Sequence, residues 1–215
     1  DADLCIRAGF TWFTIDPSAH VNDRADTAGP ADLRIAWEAL PWDAIEDTPA
    51  SLRGRYAGRT VDVEGIRVVL DEEAVVRAAV KYGRAVAHVA TMYRHIRSAI
   101  GSEAFDVEVS VDETDSPTSH AEHIVIAEEL RRLGVRWTSL APRFTGRFEK
   151  GVDYIGDAAA LEADIVAHAA IARARHLPYF LSLRGTLDDW AMRQRGIKKR
   201  LFLSLAGRQM LEKAQ

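Results

Sequence analysis

The chain has 215 residues, 47% hydrophobic and 28% charged, with a formal net charge of -4. That length supports one sizeable core or two small ones, and so small a net charge gives no reason to expect nucleic acid or an anionic membrane surface as a partner. No apolar run reaches the roughly 18 residues of a membrane span. Cys5 is the only cysteine, which excludes an internal disulfide and fits a reducing cytoplasm.

The opening residues 1–9 read as the end of a helix closed by Gly9. A chain that starts on Asp1 rather than Met reads as a piece of a longer protein. Residues 10–15 (FTWFTI) are aromatic and β-branched and predict a buried strand. It ends at Asp16-Pro17, followed by a polar loop with His20 and Asp23. The ordinary use of Asp16 is as a turn former or cap; its place just past a strand also suits a catalytic carboxylate.

Pro30 opens a helix predicted to reach Leu40, and Thr48-Pro49 opens a second one closed by Gly58. Residues 60–63 and 66–70 flank Glu64-Gly65 as a β-hairpin. The segment 24–70 reads as an insertion, with a lid or an interface element as its candidate role. Asp71 caps a long helix over 72–99 with an apolar stripe through Val75, Ala79, Val86, Ala90 and Tyr93. His88 and His95 share a face of it; surface histidines are the ordinary reading and a metal pair the alternative.

Residues 105–111 alternate, with Val107, Val109 and Val111 on one face and Glu108, Ser110 and Asp112 on the other. The valines suit a helix-covered face, so the polar set must meet water or a ligand. Asp112-Glu113-Thr114-Asp115 follows, then Ser119 as the cap of a helix over 120–133. His120 and His123 are three apart on that helix; a solvated first turn is the ordinary reading. A strand at 135–140 leads to Arg143, Arg147, Lys150 and Asp153 in a glycine-containing loop with Phe144 and Phe148. Arg and Lys there suit an anion such as a sugar acid, and a solvated surface loop suits them equally. Asp157 caps a helix to about 176, residues 179–183 predict a fourth buried strand, and 186–215 form a basic, amphipathic helical tail. Strands alternating with helices predict parallel βα units, whose ligands bind at the strands' C-terminal ends.

The motifs AGFTWFTIDPSAHV (8–21), EALPWDAIEDTP (38–49), AAVKYGRAVAHVATMYRH (78–95), EVSVDETDSPTS (108–119) and GVRWTSLAPRFTGRFEKGVDYIGD (134–157) resemble the tagaturonate epimerase family. Its members interconvert tagaturonate and fructuronate in hexuronate catabolism. The resemblance implies an α/β fold, a partial (β/α) TIM-type barrel over residues 1–185 with the 24–70 segment as a helical and hairpin insertion. It implies an isomerase that takes a small sugar acid and uses a divalent metal ion, with Mn, Mg, Zn and Ni all open. Strand-end placement together with the resemblance assigns Asp112 and Glu113 to the metal, with Asp115 as a further ligand, orienter or substrate contact. Asp16 is the acid/base, and Glu113 also takes part in catalysis. Arg143 and Lys150 hold the substrate, with His20, Asp153 and Tyr154 in support. Where the family carries a histidine, this chain has Arg184, and the quoted resemblance stops at Leu183. A sugar-acid aldolase or lyase, and a non-catalytic fragment that self-associates through open strand edges as a homo-oligomer, are the competing expectations.

Overall fold

The computed structural model describes residues 2–148 and 153–174. In chain order these form α1 (Ala2–Arg7), β1 (Trp12–Ile15), two 3-10 turns (Ser18–His20 and Asp23–Asp26), α2 (Pro30–Glu38) and α3 (Pro49–Tyr56). There follow β2 (Arg59–Val63), β3 (Ile66–Leu70), α4 (Glu72–Ile100), β4 (Asp106–Val111), α5 (His120–Arg132), β5 (Ser139–Pro142) and α6 (Ala158–Arg173). The predicted strand at 179–183, the tail, Arg184 and Lys150 lie outside the described residues.

The fold is mixed α/β. Three parallel strands stand in the order β1-β4-β5, and β2 and β3 make a separate antiparallel hairpin. The described residues contain no closed barrel. Register is set by the alternation of β4, because a one-residue slip would turn its three valines out of the core. Val107 lies opposite Phe13, and Val109 lies between Ile15 and Leu140. Phe13, Ile15, Val107, Val109 and Val111 share one core with Tyr82, Val86 and Val89 of α4 and Ile126 and Leu130 of α5.

The long helix α4 is the spine of the molecule. Its 29 residues span about 43 Å at 1.5 Å per residue, roughly twice the length of β4. The half that outreaches the sheet packs with the 24–70 segment. Leu33 and Trp37 of α2, Leu52 and Tyr56 of α3, and Val68 and Leu70 of the hairpin form a second core with Val75, Ala78 and Ala79. The segment is thus packed against the body through this core.

Two predicted strands need correction. Residues 10–15 were expected to form a buried strand, but only Phe13 and Ile15 are buried, while Phe10 is 60% and Trp12 48% exposed. Among the described residues helices cover only one face of the sheet, so β1 alternates and its other face stays open. The strand expected at 135–140 pairs instead over Ser139–Pro142. Val135 is buried, but its amide donates to the Leu130 carbonyl at the end of α5, so it closes that helix.

Candidate functional site at the strand ends

The open face of the sheet is built around Glu108. Thr14, Glu108 and Ser139 occupy the same register position on the three strands. The Thr14 hydroxyl donates to Glu108 Oε1 at 3.3 Å and the Ser139 hydroxyl to Oε2 at 2.9 Å, so both carboxylate oxygens are held from the flanking strands. The polar alternation of β4 made Glu108 visible in the sequence, but no role was given to it.

Past this row the three strands end together and bring most of the predicted residues to one edge. Asp16 follows β1, Asp112, Glu113 and Asp115 follow β4, and Arg143 follows β5. Asp16, Asp112, Glu113 and Asp115 are all exposed. Asp16 Oδ1 accepts the Ser18 amide at 2.9 Å, the turn-forming role that a strand-end Asp commonly plays. Asp112 accepts the Ser110 hydroxyl. Asp23 Oδ1 accepts the Asp115 amide at 3.2 Å, which ties the loop after β1 to the loop after β4. Thr118 ties the β4 and β5 loops in turn: its amide donates to the Arg143 carbonyl at 2.8 Å and its hydroxyl accepts the Arg143 amide at 3.0 Å.

His20 stacks on His88 with ring centroids 4.1 Å apart. Burial, with the His20 charge beside it, lowers the His88 pKa. His95 instead pairs with Asp3 at 2.6 Å, so His88 and His95 do not act together. Tyr154 fastens the loop after β5, its hydroxyl donating to the Thr145 carbonyl at 3.2 Å and also lying 3.3 Å from the Asp157 carbonyl. Asp153 is exposed near the closing bridge between Arg147 and Ile155.

Two buried polar groups behind this edge were missed. Lys81, fully buried, places Nζ 2.9 Å from Asp26 Oδ2, 2.8 Å from Ser116 Oγ and 3.4 Å from Glu122 Oε1. Burial alone would lower the Lys81 pKa, but the Glu122 and Asp26 carboxylates outweigh it and hold the ammonium above its ordinary range. Glu122 is pushed up by burial, against the pull of Lys81 and Ser119. The burial of Lys81, though not its partners, was open to the sequence, because Lys81 lies between the buried positions Ala78 and Ala85 on one face of α4. The second group is His123 with His168, each 2% exposed, which corrects the expectation of a solvated first turn in α5. His123 shares its face with Ile126, Ala127 and Leu130.

A cleft lined by Arg55, Arg131, Arg132, Arg136 and Trp137 lies at the other end of α5. Arg55 and Arg132 there are committed to Glu129, and Arg136 to Glu103, so the strand-end edge is the better candidate for a ligand.

Parallel βα units with carboxylates gathered past the strand ends define the class of α/β proteins that bind ligands at that edge. The tagaturonate epimerase family profile matches residues 1–212, and the chain belongs to that family. It is 43% identical over 186 residues to a tagaturonate/fructuronate epimerase of Thermotoga maritima, a match covering 86% of this chain and 37% of the relative. The native crystal structure of the fructuronate-tagaturonate epimerase UxaE from Cohnella laeviribosi superposes with a TM-score of 0.74 at 32% identity, covering 82% of this chain and 35% of that one. A two-glycerol complex of the same enzyme matches with a TM-score of 0.74 at 31% identity over 89% of this chain and 38% of that chain. The chain thus spans little more than a third of the relatives it matches.

Proposed function

We propose that this chain contributes a strand-end site to a metal-dependent epimerase that interconverts tagaturonate and fructuronate, with its three parallel strands as one arc of a (β/α) barrel. The observation that supports this reading best is the shared C-terminal edge of β1, β4 and β5, with Asp16, the Asp112–Asp115 run and Arg143 on adjacent strands.

The donor set fits a divalent ion: Asp112 and Glu113 are exposed carboxylates at a strand end, hard oxygen donors suited to Mg²⁺ or Mn²⁺. When bound there, such an ion supplies Lewis-acid stabilisation of negative charge on a substrate oxygen. The chain's own residues do the rest. Arg143, with Lys150 from the same loop, holds the substrate carboxylate and hydroxyls. Asp115 orients the acidic loop through the hydrogen bond that its backbone amide donates to Asp23 Oδ1. Asp16 exchanges the hydroxyl proton as acid/base, which requires its Oδ2, since Oδ1 is engaged by Ser18. His20, Asp153 and Tyr154 support the pocket, Tyr154 by fixing the loop. The inverted carbon, C4 of the 2-keto uronate, is β to the ketone, so simple enolisation towards C3 cannot invert it. The base must act on a hydroxyl, with either C3–C4 cleavage and re-addition or transfer of carbonyl character to C4.

Calorimetric titration of the chain with Mn²⁺, with and without tagaturonate, tests the reading. Binding in the micromolar range that tightens with the sugar acid and disappears in Asp112→Asn/Glu113→Gln is expected. A folded double variant that binds Mn²⁺ as well as the parent chain would refute the assignment.

A further inference from the structure

Behind the strand-end edge, His120 at the start of α5 faces Asp164 and His168 on α6. His120 Nε2 is 3.1 Å from Asp164 Oδ1, and His168 Nε2 is 3.5 Å from the same oxygen. One ligand atom from each residue falls within 4.8 Å of the others. Asp164 and His168 are one helical turn apart, the spacing that points two side chains to one spot. His168 is 2% exposed and its Nε2 makes no hydrogen bond. A buried ring nitrogen without a partner is costly, and this one faces the carboxylate group.

We infer that His120, Asp164 and His168 form a second, zinc-class divalent transition-metal site that clasps α6 to α5. Two imidazole nitrogens and one carboxylate oxygen suit Zn²⁺, Co²⁺ or Ni²⁺ better than Mg²⁺ or Ca²⁺.

The surroundings are those of a tuned ligand set. Asp164 Oδ2 accepts the Thr145 amide at 3.0 Å, which turns Oδ1 towards the two histidines. His168 Nδ1 lies 2.8 Å from His123 Nδ1. That contact needs one N–H and one lone pair, so an N–H on His168 Nδ1 leaves its Nε2 lone pair to bind an ion, the usual outer support for a metal histidine. The His120 side chain is 34% exposed, which leaves a solvent side for a fourth ligand. The Asp112 and Glu113 carboxylates belong to a different loop and none of them joins this group, so the inference stands apart from the proposed reaction.

The test is Zn²⁺ titration of the chain by competition with a chromophoric chelator, with Co²⁺ absorption reporting coordination geometry. Asp164→Asn keeps the side-chain shape, and His120→Gln changes a half-exposed position; circular dichroism checks that both remain folded. One ion per chain that depends on Asp164 and His120 is expected, with Co²⁺ bands of low coordination number. Zn²⁺ affinity should fall by about 100-fold or more in either variant and stay unchanged in Asp112→Asn/Glu113→Gln. Absence of Zn²⁺ binding by the parent chain, equal affinity in folded Asp164→Asn and His120→Gln, or loss confined to the Asp112/Glu113 variant would each overturn the inference.

Discussion

Lys81 Nζ stands 2.9 Å from Asp26 Oδ2 in the interior, and this pair joins the long helix to the segment that follows the first strand. Glu122 of α5 lies on the other side of the ammonium at 3.4 Å, so one cation serves two carboxylates from different elements. Removing it leaves both acids partly or wholly buried without a compensating cation. Lys81→Met should therefore destabilise the chain by about 3–5 kcal/mol in urea unfolding. Lys81→Met/Glu122→Gln should recover part of that loss. Equal stability of the single and double variants would show that Glu122 is not held by Lys81.

The start of α5 depends on a reciprocal cap. The Ser119 hydroxyl accepts the Glu122 amide at 3.2 Å, and the Glu122 carboxylate accepts the Ser119 amide at 2.6 Å. Ser119→Ala should cost about 1 kcal/mol, and Ser119→Asp much less, because Asp keeps an oxygen at the capping position. The check is a comparison of urea midpoints with unchanged denaturant slopes. If Ser119→Asp cost as much as Ser119→Ala, the hydrogen bond would not be the source of the effect.

These two sites show what the sequence makes legible. Ser119 as a cap is a local signal, and the helix expected after it over 120–133 is found at His120–Arg132, while its partner Glu122 in the cap was not used. The alternation of β4 likewise located its buried and open faces, and Asp16, the Asp112–Asp115 run and Arg143 all arrived at one edge. Lys81 was not legible as a charge centre because its partners come from 55 residues before it (Asp26) and from the helix beyond the next strand (Glu122). His123 and His168 were missed for the same reason, since their contact spans 45 residues and only helix packing brings it about. The shift of β5 to Ser139–Pro142 was hidden because Val135 is apolar and buried in either role.

The loop after β5 turns on Gly146. Its φ of +87° disfavours any side chain, and a Cβ there would fall 2.3 Å from the Tyr154 hydroxyl oxygen. Gly146→Ala should displace Tyr154 from the Thr145 carbonyl and cost about 1–3 kcal/mol. Gly146→Ala/Tyr154→Ala should lose less than the sum of the two single variants, because the clash is then gone and only the backbone strain remains. Strict additivity in thermal unfolding would mean that the two residues do not meet.

Tyr82, the residue after Lys81 in α4, provides a pH signature. Its ring is buried and its hydroxyl makes no hydrogen bond. Burial, with the Glu122 charge adding to it and Lys81 opposing it, pushes the phenol up to about 12 from its ordinary 10. Between these values the unfolded chain gives up a proton that the folded chain keeps. The unfolded state then binds fewer protons, so stability must fall as pH rises through that window. Two pH units correspond to about 3 kcal/mol for this one group. Tyr82→Phe removes the titration, and it also removes a buried hydroxyl without a partner, so it should be nearly neutral at pH 8. Tyr56 is raised as well, by its own burial and by Glu129, and Lys81 itself adds to the alkaline loss, since its raised pKa gives stability that is present below 10.5 and disappears as pH climbs through the folded value. Neither is removed by the Tyr82 change, so the difference between parent and Tyr82→Phe isolates the Tyr82 share. Urea unfolding from pH 8 to 11.5 should show the two curves diverging above pH 10, with the variant the more stable. Curves that run parallel across the whole range would show that the Tyr82 phenol ionises as readily in the folded chain as in the unfolded one.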